Sequence, residues 1–213
     1  MGRFDTLCES NRCIDFLLNK IRKRRTLSLK IVFPILIVED ILNGKKPHEL
    51  LPWEGIDVNA IMGFILVLIG CSIRFWARGH FEKGRLFTTG PYELVRHPLY
   101  MGSFLIVCGV LFQLNDWLNW AIVIPLFAIF HGAAIVYEER ALEKRFGEEW
   151  RLYRAKVNAV VPSLRNYNSK PKFHKWQWKV FLATGEIFTT TMVSILPLII
   201  ELLEETVFER SLL

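Results

Sequence analysis

The sequence lacks the motifs that mark soluble nucleotide-binding domains. It contains neither the glycine-rich GxGxxG fingerprint nor a Walker A motif, both of which surround phosphates with backbone N–H groups. Its four cysteines, Cys8, Cys13, Cys71 and Cys108, show no CxxC spacing, so neither a zinc site nor a disulfide framework is indicated. We expect no metal site, and no pattern for a covalent nucleophile is visible.

Apolar residues are in excess and are gathered into blocks. Of the 213 residues, 52% are hydrophobic, which is above the usual share of globular proteins. A helix needs about 20 mostly apolar residues to cross the hydrocarbon core, and segments 58–77, 99–114 and 117–137 approach this. Segments 27–42 and 180–200 contain charged residues, so they either span or lie in the interface as amphipathic helices. The sequence predicts an all-α, polytopic transmembrane helix bundle of about five spans.

The placement of Lys and Arg predicts a topology, because these residues accumulate in cytoplasmic loops close to helix ends. If all five segments span, one side receives the basic run 20–25, the basic residues of loop 78–96 and the stretch 140–179. The other side receives only two lysines in the first loop and one arginine near the end. We therefore place the N-terminus and loop 78–96 in the cytoplasm and the C-terminus outside.

The formal net charge of +6 fits this topology and anionic lipid headgroups. The basic residues follow helix ends instead of an aromatic-interleaved face, so we expect no nucleic-acid partner. KIRKRR before an apolar run also resembles the start of a signal peptide. No small-residue cleavage site follows it, so we expect this segment to be retained.

The stretch GPYELVRHPLY places charged groups directly before an apolar run. Pro98 fits the first turn of a helix and disfavours a helical His97, so a helix should begin there. Its N–H groups and positive dipole end would then lie at the cytoplasmic interface beside Arg96 and His97, which suits an anion. Tyr100 lies on the first turn, and Gly102 permits close approach of another group. On this stretch alone, an ordinary basic interface is the preferred interpretation.

Two adjacent carboxylates, Glu138 and Glu139, follow the fourth apolar segment on the same side as His97. Acidic residues at that depth are costly and usually functional. His131 lies seven residues before Glu138 and shares its helix face. Alternatively, Glu139 pairs with neighbouring cations on a solvated helix extension. A polar contact within the bundle is the preferred interpretation of His131.

RHPLYMG, one helical hairpin and YEERALEKRFGEEWRLYRAKV together resemble the integral membrane methyltransferases of the isoprenylcysteine carboxyl methyltransferase and phospholipid methyltransferase superfamily. The resemblance covers residues 58–162. It implies a small helical membrane enzyme with a cofactor pocket for S-adenosylmethionine at its cytoplasmic edge, which methylates a lipid-like acceptor delivered from the bilayer. By position, it assigns cofactor binding to His97, Pro98, Tyr100, Gly102, Glu138 and Glu139.

The residue types suit that cofactor. Arg96, His97 and the helix N-terminus match its carboxylate, and Glu138 or Glu139 matches its ammonium or ribose hydroxyls. Methyl transfer is an in-line displacement whose barrier falls through alignment and exclusion of water. The adenine needs an apolar wall, for which the candidates are Phe146, Trp150 and Tyr153.

The acceptor side of the site is less well specified. Lys156 stands where prenylcysteine methyltransferases tend to carry an Arg linked to the acceptor carboxylate, and Trp150 where a Tyr is common. Lys keeps the charge but loses the bidentate fork, which weakens the match to a prenylcysteine within the favoured class of carboxylates. We take Glu139 and Lys156 as the catalytic candidates. An isoprenoid or prenylcysteine carboxylate is the favoured acceptor, and a phospholipid amine is the alternative.

Two other functions fit parts of the pattern. Membrane sterol reductases share a related C-terminal pattern with a nicotinamide cofactor but are generally larger, and a non-catalytic scaffold would bind neither cofactor. The predicted organisation is a basic cytoplasmic N-terminal segment (1–26), a membrane methyltransferase domain (27–162), a basic linker (163–179) and a further membrane helix with its tail (180–213). Oligomeric state and the role of Glu186 are not predicted.

Small residues predict how two of the helices pack. Gly63 and Gly70 are seven residues apart on the second apolar segment, as are Gly102 and Gly109 on the third. Each helix then carries a stripe that allows close backbone contact, and we expect the two stripes to face each other.

Overall fold

The computed structural model describes residues 2–45, 57–80 and 84–162, together with Ile195 and Ile199. Within these ranges every regular element is a helix, so the all-α prediction is confirmed for this part of the chain. The predicted linker 163–179 and the predicted membrane segment 180–200 fall outside it, apart from those two isoleucines. The helices are α1 (Gly2–Leu42), α2 (Val58–Gly79), α3 (Pro91–Leu94), α4 (Pro98–Leu114), α5 (Trp117–Phe146) and α6 (Glu148–Lys156).

Two of these helices, α2 and α5, are long and apolar enough to cross a membrane, judged by length and composition. The apolar helix α4 is shorter, at 17 residues. The first helix, α1, runs for 41 residues without a break, through the predicted boundary between residues 26 and 27. Membrane association is therefore indicated, and the count of five spans stays a prediction.

Helices α2 and α4 pack through their glycines, as predicted. A Cβ atom added at Gly63 would lie 2.6 Å from the carbonyl oxygen of Gly109, and one added at Gly70 would lie 2.6 Å from that of Gly102. Both distances are clashes with backbone atoms that have no freedom to move aside. The two stripes therefore face each other in antiparallel register, and the backbones approach more closely than any side chain would allow.

A buried polar contact joins α1 to the start of α5. Asn119 Nδ2 donates to Asp40 Oδ2 at 2.6 Å, and both side chains are buried. Lys45 Nζ lies 2.5 Å from Asp116 Oδ2, 3.4 Å from Asp40 Oδ1 and 3.6 Å from Glu39 Oε2. Its ammonium thus offsets part of the charge of three neighbouring carboxylates, which would otherwise repel one another at this end of the bundle.

Ion pairs join the same two helices at the opposite end. Asp15 on α1 accepts hydrogen bonds from Arg140 at 3.1 Å and Lys144 at 2.7 Å on α5. The Arg22 guanidinium also lies 4.7 Å from the centroid of the Tyr137 ring. Helix α1 is therefore held along α5 on both sides of its apolar part.

A tight helical hairpin sets the position of the candidate site. Asn115 takes the left-handed conformation (φ 50°) that ends α4, and Asp116 caps α5 by accepting from the Leu118 amide at 3.1 Å. The 17 residues of α4 rise about 26 Å. The 30-residue α5 runs back over this length and beyond it, so its later residues reach the start of α4.

The glycine contact predicts how the bundle responds to one added methyl group. Gly109→Ala should lower the melting temperature in detergent, because overpacking against backbone typically costs about 1–3 kcal/mol. Thermal unfolding followed by circular dichroism would measure the shift. Gly132→Ala is the matched control, since a Cβ there meets nothing within 4 Å. Equal melting temperatures for the two variants would contradict the proposed contact.

Candidate functional site

The start of α4 and the later part of α5 meet in one polar group, which we call the motif cluster: Arg96, His97, Tyr100, Glu138 and Glu139. The Tyr100 hydroxyl donates to Glu138 Oε1. Arg96 donates to Glu139 Oε1 from Nε at 3.0 Å and from Nη2 at 2.7 Å. His97 Nε2 lies 3.4 Å from the same oxygen. Two sequence motifs separated by a helical hairpin are therefore brought into direct contact.

Helix α4 begins at Pro98, as predicted, and His97 occupies the position just before it. The His97 side chain makes no capping bond to the helix, so its ring turns toward the glutamates. The His97 carbonyl accepts from the amides of Tyr100 and Met101, each at 3.1 Å. Two first-turn N–H groups are thus already used within the chain, and the His97 ring adds a side-chain nitrogen at the helix start.

The two adjacent glutamates lie in different surroundings. The Glu139 side chain is 11% exposed, and Arg154 Nε lies 3.6 Å from its Oε2. Burial alone would raise the pKa of Glu139, but hydrogen bonds from His97 and Arg96, with their positive charges, lower it to about 2. The Glu138 side chain is 35% exposed, and His97 Nδ1 lies 4.0 Å from its Oε2. Glu139 is therefore the anchored carboxylate, and Glu138 is the more accessible one.

Stacked rings fix the orientation of Tyr100. The Tyr100 ring stacks on His97 and meets His131 edge-on, with both centroid distances at 5.5 Å. His131 in turn stacks on Phe127 with centroids 3.7 Å apart. Tyr100 and His131 are both buried. His131 thus supports the motif cluster through ring packing inside the bundle, in keeping with the interpretation preferred from the sequence.

Gly102 faces α2 and not the glutamates. A Cβ at this position would lie 2.7 Å from both the carbonyl oxygen of Gly70 and the Cγ of Arg74. Arg74 Nη1 donates to Ser103 Oγ at 2.5 Å. Arg74 thus lies against α4 in the space that Gly102 leaves.

Helix α6 covers the motif cluster with a small core of its own. Trp150, Tyr153 and Val157 are buried there, with Leu86, Leu142 and Phe146 packed against them. The Tyr153 hydroxyl donates to the Tyr92 carbonyl at 2.7 Å. Of the three candidates for an adenine wall, Phe146 alone is only partly buried. It also borders a cavity of about 300 Å³ lined by residues 84–89 and Glu149.

Lys156, the candidate acceptor-binding residue, is the last residue of α6 and is exposed. The chain just after it does reach the cluster: Arg96 N donates to the Asn158 carbonyl at 2.8 Å and His97 N to that of Ala159 at 2.9 Å. Every residue has a backbone carbonyl, so these two hydrogen-bond partners could not be predicted from the sequence.

Comparison with known proteins points to methyltransferases. Residues 58–149 match the phospholipid methyltransferase family. A probable protein-S-isoprenylcysteine O-methyltransferase of Oryza sativa is 32% identical over 114 residues, which cover 47% of this chain and 60% of that protein. Methanethiol S-methyltransferase 1 of Bradyrhizobium diazoefficiens is 35% identical over 75 residues, or 35% of this chain and 25% of that protein. The resemblance inferred from the two motifs is confirmed.

Another relative is named for metal resistance and not for methyl transfer. The cobalt-zinc-cadmium resistance protein CzcN of Cupriavidus metallidurans is 29% identical over 125 residues, covering 55% of this chain and 57% of that protein. The matches thus span less than two thirds of CzcN and of the rice protein. No solved structure matches the chain. The motif cluster lies inside the matched region 58–149, and Lys156 lies beyond it.

The low pKa of Glu139, which lies two residues beyond the apolar part of α5, predicts a pH dependence of stability. Its folded-state pKa is about 2, below the ordinary 4.5. Above pH 4.5 the ionised carboxylate therefore stabilises the fold, and its contribution is on the order of 3 kcal/mol. This contribution is lost as the pH falls toward 2. In detergent, the melting temperature of the wild type should drop more steeply between about pH 5 and 3 than that of Glu139→Gln.

Glu148→Gln is the control for this experiment, because its side chain is 73% exposed. It should keep the pH dependence of the wild type. Identical pH profiles for the wild type and Glu139→Gln would show that Glu139 is not the stabilising carboxylate.

Proposed function

We propose that the protein is an integral membrane methyltransferase that uses S-adenosylmethionine and a lipid-like acceptor. The match of residues 58–149 to the phospholipid methyltransferase family supports this proposal. The observation that carries this proposal is the contact between the two motifs, in which Tyr100 donates to Glu138 and Arg96 donates to Glu139. A basic and an acidic motif that meet at the end of a helical hairpin can bind a zwitterionic ligand.

The chemistry of the motif cluster fits the amino-acid part of this cofactor. The cofactor carries a carboxylate and an ammonium, and the cluster offers a His97 ring and the accessible Glu138 carboxylate about 4.0 Å apart. We assign the carboxylate to His97 and the ammonium or a ribose hydroxyl to Glu138, since charge-assisted hydrogen bonds are the stronger ones. Pro98 and Tyr100 set the positions of these two groups.

Phe146 is the residue we assign to the adenine. It lies eight residues after Glu138 on α5, about 80° around the helix and about 12 Å farther along the axis. That distance is of the order of the length of an extended nucleoside–amino acid conjugate. The half-buried Phe146 ring is an apolar surface suited to a flat base.

The residues of this chain contribute binding, orientation and exclusion of water. The bound cofactor supplies an electrophilic methyl group on a sulfonium sulfur. The buried rings of Tyr100 and His131 keep Glu138 in place, and Trp150 and Tyr153 close the cluster on the side of α6. Alignment and dehydration of this kind are the main means of lowering the barrier of an in-line displacement.

The acceptor that we favour is a lipid-like carboxylate, isoprenoid or prenylcysteine, and a phospholipid amine is the alternative. Glu139 and Lys156 are the two residues that we took as catalytic. Lys156, at the exposed end of α6, would offer a single positive charge to such a carboxylate. One relative is named for an isoprenylcysteine and another for methanethiol. The matched region therefore supports methyl transfer more strongly than it supports one acceptor.

We further propose that the protein crosses the membrane several times, with the motif cluster at its cytoplasmic edge. The apolar helices α2 and α5 support a membrane location. The predicted concentration of Lys and Arg on the side of the motif cluster supports the orientation.

His97 and Glu138 should determine cofactor affinity. His97→Ala and Glu138→Gln should each weaken binding of S-adenosylhomocysteine by about 1.5–3 kcal/mol, because each removes a hydrogen bond to a charged group. Isothermal titration of the detergent-purified protein would measure this, with Glu148→Gln as the control. Unchanged affinity in either variant would remove that residue from the site.

The cofactor class can be tested by thermal stabilisation. S-adenosylhomocysteine should raise the melting temperature, and NADPH should not, because a ligand stabilises only the fold that binds it. Stabilisation by NADPH alone would favour a reductase. A protein stabilised by neither ligand would favour a scaffold.

Lys156 should act on the acceptor and not on the cofactor. Lys156→Ala should bind S-adenosylhomocysteine normally but show a higher KM for the acceptor or a lower turnover. The acceptor can be found by incubating the enzyme with radiolabelled S-adenosylmethionine and fractionated membrane lipids. Labelled carboxyl esters would support the favoured class, and labelled amines the alternative. Loss of cofactor binding in Lys156→Ala would overturn this division of roles.

A further inference from the structure

The guanidinium of Arg96 is almost fully engaged by the protein itself. Its Nε and Nη2 donate to Glu139 Oε1 at 3.0 and 2.7 Å. Its Nη1 donates to the carbonyl of Arg154 at 3.0 Å and to that of Val157. These bonds use four of the five donors that a guanidinium possesses. The side chain is only 10% exposed, and its charge lies 5.8 Å from the centroid of the Trp150 ring.

The backbone around Arg96 is tied to the same part of the chain. Arg96 N donates to the Asn158 carbonyl at 2.8 Å, and His97 N donates to the Ala159 carbonyl at 2.9 Å. Together with the two bonds from Nη1, four hydrogen bonds attach residues 154–159 to the start of α4. The Arg96 side chain thus connects three elements: α4, α5 through Glu139, and the end of α6.

We propose that Arg96 is a positioning residue and not a ligand of the cofactor. Its guanidinium holds Glu139 and the chain after α6 in place, and this fixes the His97 ring and turns Glu138 toward the ligand. The inference rests on the proposed function of the motif cluster. It assigns to Arg96 a role different from the carboxylate binding expected from its residue type.

Energetics favour this assignment. To bind a cofactor carboxylate in the same way, Arg96 would have to release Glu139, whose side chain is 11% exposed and ionised. A buried carboxylate deprived of its partner is strongly destabilising, and the exposed Arg154 at 3.6 Å would be its remaining guanidinium neighbour. His97, by contrast, lies 3.4 Å from Glu139 Oε1, and loss of this longer contact would leave both Arg96 bonds to Glu139 intact.

The same connection reaches the acceptor side. Lys156 lies in sequence between Arg154 and Val157, the two residues whose carbonyls accept from Arg96. Holding these carbonyls therefore also fixes the backbone that carries Lys156. Arg96 thus fixes the position of the cofactor-binding residues relative to Lys156, the candidate acceptor-binding residue.

A pair of ligands distinguishes a positioning residue from a direct ligand. S-adenosylhomocysteine and its decarboxylated analogue differ only in the carboxylate. If Arg96 positions the cluster, Arg96→Gln should weaken binding of both ligands, by about tenfold or more for the analogue. A displaced Glu138 affects both ligands, and a displaced His97 adds a further loss for S-adenosylhomocysteine alone. A direct carboxylate ligand would instead lose affinity for S-adenosylhomocysteine and keep it for the analogue, and that result would overturn the proposal.

Two further variants sharpen the binding experiment. Arg96→Lys should recover part of the affinity for both ligands, because its ammonium still pairs with Glu139 but lacks the fork needed for the two carbonyls. Arg151→Gln is the matched control: Arg151 is an exposed arginine that pairs with Glu143 and Glu148. It should bind both ligands like the wild type.

Hydrogen exchange supplies a readout that does not depend on any ligand. The Arg96 and His97 amides are bonded to residues 158 and 159, so a peptide that covers them should exchange faster in Arg96→Gln than in the wild type. Unchanged exchange would overturn the connection itself. Faster exchange in a protein whose wild type binds neither ligand would uphold the connection and reject the proposed function.

Discussion

The candidate site depends on one largely buried ion pair, between Arg96 and Glu139, whose side chains are 10% and 11% exposed. Neither side chain would be stable alone at this depth, because an unpaired buried charge is costly. Paired, they join the segment that leads into α4 to the later part of α5 at 2.7 Å. Because Arg96 Nη1 also donates to one carbonyl in the last turn of α6 and to another just after it, the same side chain also determines where the chain goes next. The helical hairpin brings the two partners near each other, and the ion pair fixes their distance.

The glycine contact between α2 and α4 makes that arrangement possible. Gly102 lies two residues after Tyr100, and the absence of its side chain lets α4 sit directly on Gly70 and on the stem of Arg74. A bulkier residue would push α4 away from α2, and the rings of His97 and Tyr100 would move with it. One side of α4 thus provides close packing, while the start of the helix provides the polar groups. Gly102 contributes to the close packing.

Much of this could be predicted from the sequence because it follows from local rules. Pro98 fixes the start of α4, and the seven-residue spacing of the glycines fixes the face that meets α2. The partners of Arg96 could not be predicted, since two of them are backbone carbonyls brought close only by the fold. The sequence did not predict that α1 is one continuous helix, because charged residues interrupt its apolar pattern. Some of these charged residues, such as Asp15 and Asp40, instead form the contacts with α5.

The two adjacent glutamates show how one motif acquires two roles. Consecutive residues on a helix point about 100° apart, so Glu138 and Glu139 meet different neighbours. Glu139 turns toward two guanidinium groups and becomes a fixed, ionised part of the framework. Glu138 turns toward the Tyr100 hydroxyl and stays more accessible. A pair is needed because a carboxylate that holds the framework together is not available to a ligand, and a carboxylate that binds a ligand needs a framework to hold it.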